Sequence, residues 1–148
     1  MYEFLQYRVV DAMTRKPIVI GPETSLAEAG ALFDAHNFNA LPVTCGGRLV
    51  GVFTKLDFLK GFAFTTRSMI PPYEALMQKP VDQFMTCNPL TVFPDMPLTR
   101  VLQEMIDSRY KSFPVVEQGA LVGIISREDI LRALRYAVSG NGAKIVPE

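Results

Sequence analysis

Apolar positions along the chain follow two spacings, and the same succession of spacings occurs twice. A short apolar stretch follows a proline at Ile18-Val19-Ile20 and again at Leu90-Thr91-Val92-Phe93, which predicts a short strand at each place. Helical spacing comes next. Leu26, Ala29, Leu32 and Phe33 share one face in the first half, as do Leu98, Val101, Leu102, Met105 and Ile106 in the second. Thr24-Ser25 ahead of Glu28, and Asp95 ahead of Thr99, place a capping oxygen before each helix. Two strands follow, Ala40–Thr44 with Leu49–Phe53 and Ser112–Val116 with Leu121–Ile125. Gly46-Gly47 and Gln118-Gly119 are the turn residues of two tight hairpins. Thr54 and Ser126 then stand at N-cap positions, with a second helix over 56–60 and over 128–134.

The two halves superpose at an offset of 72 residues. From Met13 to Lys60 the register holds over 48 positions without a gap, and 13 of them are identical, among them Met13-Thr14 with Met85-Thr86, Pro42-Val43 with Pro114-Val115, Leu49-Val50-Gly51 with Leu121-Val122-Gly123, and Asp57 with Asp129. A repeat of this length sets the architecture before any single residue is weighed. The reading is an α/β (α+β) fold of two tandem β-α-β-β-α repeats. The divisions are an N-terminal segment 1–8, repeat one 9–62, a connector 63–79, repeat two 80–135 and a C-terminal tail 136–148. A sheet of three short strands does not bury both of its faces, so the two copies are expected to pack by pseudo-twofold symmetry into one module. Glu74–Met77 reads as a short helix, Ile70-Pro71-Pro72-Tyr73 as a rigid turn or an extended piece, and Ser139–Ala143 as a frayed end.

Composition narrows the function. Lys plus Arg and Asp plus Glu number 15 each in 148 residues, and the net charge is zero. That argues against a nucleic-acid or membrane-seeking surface. No apolar run approaches the roughly 20 residues of a membrane helix, and Met1–Tyr7 lacks the pattern of a signal peptide. A cytoplasmic protein is expected. Two cysteines, Cys45 and Cys87, and one histidine, His36, supply neither a disulfide framework nor a metal site. No nucleophile stands with a base, so no catalytic residue and no enzyme activity is expected.

The segments richest in chemistry are Gly51-Val52-Phe53-Thr54-Lys55-Leu56-Asp57 and Gly123-Ile124-Ile125-Ser126-Arg127-Glu128-Asp129. Each sets a strand glycine, a hydroxyl at a helix start, a cation, and a carboxylate one turn in. Helix N-terminal N–H groups suit phosphate. A carboxylate can accept two hydrogen bonds from vicinal hydroxyls such as those of a ribose. The glycine would let a flat ring approach the strand. Thr/Ser-x-x-Asp is also an ordinary capping pattern, and both readings stay open on these residues alone.

The doubled pattern, with Met13-Thr14-x-x-Pro17 and Leu41-Pro42-Val43, resembles a CBS-domain pair, or Bateman module, over about residues 9–135. The resemblance implies a regulatory module, with no cofactor, that binds AMP, ADP, ATP or another adenosyl compound such as S-adenosylmethionine in a cleft between the repeats. One composite site would use Thr54, Lys55 and Asp57 with Thr86, Thr91, Tyr110, Lys111 and Ser112. The other would use Ser126, Arg127 and Asp129 with Thr14, Val19, Phe38, Asn39 and Ala40. In this assignment the two aspartates hold ribose hydroxyls. Thr54, Ser126, Lys55 and Arg127 meet phosphate, and Thr14 and Thr86 read the base edge. Phe38 and Tyr110 could equally be core aromatics. With Arg109 and Lys111 on the Asp57 side, a triphosphate is expected to prefer that side. The resemblance also implies a homodimer and a separate regulated protein partner. The alternative is a structural dimerisation module with empty clefts.

Overall fold

The computed structural model of the chain describes residues 2–63 and 72–139. Expectations for Ile70, Pro71 and 140–143 lie outside the described residues. In chain order the elements are α1 (Tyr2–Gln6), α2 (Val9–Ala12), β1 (Thr14–Arg15), α3 (Leu26–Ala35), β2 (Ala40–Cys45), β3 (Arg48–Thr54), α4 (Lys55–Lys60), α5 (Tyr73–Met77), a 3₁₀ turn (Val81–Gln83), β4 (Thr86–Cys87), α6 (Leu98–Ser108), β5 (Ser112–Glu117), β6 (Ala120–Ser126) and α7 (Arg127–Ser139). The fold is α+β.

The chain forms two compact units whose limits do not coincide with the repeats. Unit 1 combines Met1–Pro17 with Leu90–Glu148, and unit 2 is Ile18–Pro89. Each unit therefore takes the opening segment of one repeat and the body of the other. The backbone shows how. In unit 2, Leu26 N–H donates to the Lys79 carbonyl (3.0 Å) and Val81 N–H to the Thr24 carbonyl (2.8 Å). At the equivalent positions of unit 1, Leu98 N–H donates to the Tyr7 carbonyl (3.0 Å) and Val9 N–H to the Met96 carbonyl (2.9 Å). These bonds satisfy N–H groups at a helix start that have no partner inside the helix. Burial, reinforced by the carboxylates of Glu3 and Asp11, raises the Tyr7 phenol above its ordinary pKa.

Each unit carries one hairpin and one short antiparallel edge strand. In unit 2, β2 pairs with β3 from Ala40↔Thr54 to Cys45↔Arg48, and β4 adds Gly51↔Cys87 and Val52↔Thr86. In unit 1, β5 pairs with β6 from Ser112↔Ser126 to Glu117↔Ala120, and β1 adds Thr14↔Ile124 and Arg15↔Gly123. The turns hold Gly46 and Gly47 at φ 59° and 80°, and Gln118 and Gly119 at 52° and 82°. Two successive positive φ values match the twist of paired strands, which is why glycine recurs there.

The first strand expected in each repeat is reduced to a single bridge. Ile20 pairs in parallel with Val43, and Val92 with Val115. Ile20 and Val92 each donate one backbone hydrogen bond and accept one, before Pro22 and Pro94 end the extended stretch. Two further expectations are corrected. Asp95 does not cap α6: the N-cap is Pro97, without a side-chain bond, and Asp95 instead meets Arg8 at 3.9 Å on the surface. Ile106 is 62% exposed rather than on the core face. Ser25 does cap α3, accepting from Glu28 N–H at 3.1 Å.

Separate apolar clusters fill the two units. Leu26, Ala29, Leu41, Val43, Phe53, Leu76 and Val81 centre unit 2, and Val9, Leu98, Val101, Phe113, Val115, Ile125 and Ala133 centre unit 1. Fully burying such a side chain contributes about 1.5–3 kcal/mol, so each cluster has enough members to hold its own sheet and helices together. α5 and the 3₁₀ turn, built from the connector and the start of repeat two, supply Leu76 and Val81 to unit 2.

Candidate functional site

The hairpins carry the two expected segments to the head of α4 and of α7. Thr54 is the N-cap of α4, and its hydroxyl accepts from Asp57 N–H at 3.0 Å, while Asp57 Oδ2 accepts from Thr54 N–H at 3.0 Å. In unit 1, Ser126 Oγ accepts from Asp129 N–H at 3.3 Å. Asp129 Oδ2 takes the Ser126 N–H at 2.9 Å and the Ser126 hydroxyl at 3.0 Å. Both are reciprocal capping boxes. They are unusual in depth: Asp57 is 3% exposed and Asp129 2%.

A second hydroxyl reaches each carboxylate from the short edge strand. Thr86 Oγ1 donates to Asp57 Oδ2 at 3.3 Å, and Thr14 Oγ1 to Asp129 Oδ1 at 3.4 Å. The structure thus brings Thr54, Asp57 and Thr86 together in unit 2, and Ser126, Asp129 and Thr14 in unit 1. Both threonine bonds are long beside the 2.5–2.7 Å usual for O–H···O⁻. A cation completes each cluster. Arg132 Nη1 lies 3.1 Å from Asp129 Oδ1, and Lys60 Nζ lies 3.7 Å from Asp57 Oδ1.

The residues before each proline lie in the unit of the hairpin that they open. Phe38, Asn39 and Ala40 belong to the unit of Thr54, Lys55 and Asp57, where the register sets Ala40 opposite Thr54. Tyr110, Lys111 and Ser112 belong to the unit of Ser126, Arg127 and Asp129, with Ser112 opposite Ser126 and Arg127 N–H bonded to the Lys111 carbonyl at 3.0 Å. Arg109 lies there too, its carbonyl accepting from Arg127 Nη2 at 2.9 Å. Arg109 and Lys111 thus lie in the same unit as Asp129. Val19 lies in unit 2 and Thr91 in unit 1, each exposed and one residue before its bridging neighbour. Phe38 is partly buried and stacks on His36 at 4.8 Å, whereas Tyr110 is exposed.

The strand glycines have an internal explanation. A Cβ on Gly51 would lie 2.8 Å from Met85 Sδ and 2.9 Å from the Thr86 carbonyl oxygen. On Gly123 it would lie 2.8 Å from both Met13 Sδ and the Thr14 carbonyl oxygen. The space above each glycine is filled by the Met-Thr edge strand, not kept open for a ring. Lys16 and Asn88, two residues past those threonines, both sit at positive φ, 52° and 51°. Such backbone strain in non-glycine residues marks sites that the surrounding structure constrains. Sequence reasoning missed both. The signal available was their shared place, one residue ahead of Pro17 and Pro89.

Unit 1 also holds a shallow cavity of about 220 Å³ lined by Leu102, Met105, Ile106, Arg109, Arg127 and Ile130. It lies along α6 and α7 and contains neither Asp129 nor its hydroxyl partners. Among the described residues no group of three His, Cys, Asp or Glu side chains could hold a metal ion, and no helix is long and apolar enough to cross a membrane. Cys45 and Cys87 are exposed free thiols.

A doubled α+β unit with a buried hydroxyl–carboxylate pair at the head of the helix after each hairpin defines a tandem-repeat module of one kind. The chain belongs to the CBS-domain family: the family model matches residues 9–63 and 81–136. The chain is 27% identical over 135 residues to the A-adding tRNA nucleotidyltransferase of Geobacter sulfurreducens, covering 91% of this chain but only 14% of that enzyme. Likeness to that enzyme is thus confined to a small part of it. Among solved structures, the chain is similar to CBSX2 of Arabidopsis thaliana in complex with AMP, with 27% identity, a TM-score of 0.76, and coverage of 89% of this chain and 98% of that one. It is similar also to the CBS-domain pair of protein MJ0100 in complex with 5′-methylthioadenosine and S-adenosyl-L-methionine, with 29% identity, a TM-score of 0.71, and coverage of 88% and 98%. Both neighbours share the CBS-pair fold with this chain, and both structures are complexes with adenosyl compounds.

Proposed function

We propose that the chain is a regulatory module, not an enzyme, that binds AMP, ADP, ATP or a related adenosyl compound at sites built on Asp57 and Asp129 and passes the signal to a separate protein partner. The observation that carries this reading is the burial of both carboxylates. A capping box needs only the two backbone N–H bonds, and it works at the surface. Here each carboxylate is at most 3% exposed and carries an added threonine hydroxyl from the other repeat's Met-Thr segment. Burying a carboxylate is costly and helix capping does not require it. The long threonine bonds are the contacts that give way most readily to a ribose diol. Relatives of the same fold bound to AMP and to S-adenosylmethionine support the same ligand class.

A thermal shift with AMP tests the reading. Ligand at a hundred times its dissociation constant adds about 2.7 kcal/mol of stability, a rise in Tm that the Asp57→Asn/Asp129→Asn double variant loses. No rise in the parent protein with AMP, ATP or S-adenosylmethionine sinks it.

Two observations favour a second reading, a structural interaction module that acts as a homodimer. Among the described residues no buried polar side-chain atom lacks a hydrogen bond, and Leu56, Leu59, Ile106 and Leu131 are 48–62% exposed on helices α4, α6 and α7. Unchanged Tm with every adenosyl compound, together with a dimer in sedimentation, is the outcome it requires.

A further inference from the structure

The two carboxylates occupy equivalent positions, yet their oxygens are not equally engaged. Asp129 is saturated. Oδ2 accepts from the Ser126 N–H and hydroxyl at 2.9 and 3.0 Å, and Oδ1 accepts from Arg132 at 3.1 Å and Thr14 at 3.4 Å. Asp57 is not. Oδ2 accepts from the Thr54 N–H and the Thr86 hydroxyl, and among the described residues Oδ1 meets only the Lys60 ammonium, at 3.7 Å.

Lys60 and Arg132 are themselves equivalents at the offset of 72, so the repeat isolates the effect of one side chain. The Lys60 side chain is 62% exposed and its ammonium is beyond hydrogen-bond reach. The Arg132 side chain is 32% exposed, and its guanidinium makes a charge-assisted hydrogen bond. A guanidinium is less strongly hydrated than an ammonium and holds a carboxylate in a fixed geometry. It leaves a buried carboxylate less readily than a solvated, loosely placed lysine does.

We infer that Arg132 is a built-in competitor for the Asp129 carboxylate, so that the chain takes one adenosyl ligand, at Asp57, and keeps the second site closed by its own side chain. This rests on the reading that Asp57 and Asp129 receive ribose hydroxyls. A ligand at Asp57 adds its diol to an oxygen, Oδ1, that among the described residues has no hydrogen bond to lose. A ligand at Asp129 takes the place of the long Thr14 bond but still competes with Arg132 for the same Oδ1. Its affinity is lowered by the fraction of time that the carboxylate is free. Anything that draws Arg132 away, such as a partner's acidic group, would open the second site.

Isothermal titration of the full chain with AMP decides the matter. The parent protein is expected to bind one AMP per chain, and Asp57→Asn abolishes that binding. Arg132→Lys copies the arrangement of unit 2 and raises the stoichiometry to two, with the second site at least tenfold tighter than in the parent. Arg132→Gln does the same, and circular dichroism of both variants confirms the fold. Two equivalent AMP sites in the parent, a single site that survives Asp57→Asn, or one site in both folded Arg132 variants each overturns the inference while leaving an adenosyl-binding module in place. No heat from any variant removes the binding reading itself, and the inference with it.

Discussion

The helical surfaces of the two units are built on the same backbone plan but finished in opposite ways. In unit 1, Leu102, Ile106 and Ile130 line an open groove rimmed by Arg109 and Arg127. The equivalent positions in unit 2 are Gly30, Asp34, Phe58, Asn37 and Lys55. There the Phe58 ring packs down onto Gly30, so closely that a Cβ on residue 30 would lie 3.1 Å from it. Phe58 in turn rests against Phe62 at 5.3 Å. The following helix has 6 residues in unit 2 and 13 in unit 1. Inside, the pairs Leu26 and Leu98, Val43 and Val115, and Leu41 and Phe113 are all 0–1% exposed. Equivalent core positions stay apolar and filled, even where Leu41 is replaced by Phe113, because a void loses both contact and transfer energy. The exposed helical surfaces are free of that constraint, and they are where two copies of one plan have diverged.

The firmest test of the shared core is the pair Leu26→Ala and Leu98→Ala. Both leucines open a helix and both are fully buried. Each truncation should cost about 2–5 kcal/mol, with the exact value set by how far the site collapses. Urea denaturation measures it. If one variant falls within 0.5 kcal/mol of the parent, the two cores are not equivalent in energy, whatever their geometry.

The strand glycines come next in size. Gly51→Ala and Gly123→Ala each push a methyl against a methionine sulfur and a backbone carbonyl. Such overpacking costs about 1–3 kcal/mol, and the sulfur can yield more readily than the carbonyl. Both variants should lose stability by similar amounts without any ligand present. Stability within 0.5 kcal/mol of the parent, with only AMP affinity reduced, would restore the view that the glycines serve a bound ring.

How far these features were legible depends on how many residues encode them. The repeat, both hairpins and the four main helices each draw on several periodic positions, and the structure follows them closely. The Ile18–Ile20 and Leu90–Phe93 stretches carry equal apolar content but pair through one residue each, a fact held in the partner strand and not in the stretch itself. Ile106 satisfies the helical spacing of α6, yet spacing cannot say where a packed face ends, and here it ends at Met105. The pairing of each Met-Thr segment with the hairpin of the other repeat came from the family resemblance and not from periodicity, because β1 and β4 are two residues long and have no period. The carboxylates were found from their residue types and spacing, and the family resemblance set Thr86 beside Asp57 and Thr14 beside Asp129, the pairs that the hydrogen bonds join. Lys60 and Arg132 were not considered as partners.

The smallest contrast concerns the two helix starts. Ser25 and Asp95 read alike in the sequence, each a capping oxygen ahead of a helical pattern. The structure separates them. Ser25 has extended backbone, φ −74° and ψ 158°, and its hydroxyl takes the Glu28 N–H. Asp95 stands two residues too early, behind Pro97, with its side chain 81% exposed and only the distant Arg8 beside it. Ser25→Ala should therefore cost about 1 kcal/mol, the usual value of a lost cap. Asp95→Ala should stay within about 0.5 kcal/mol, as surface changes do. Chemical denaturation resolves the two values if both variants are measured beside the parent. Equal losses would mean that Asp95 supports α6 in solution after all, and that the start of α6 shares more with that of α3 than its geometry shows.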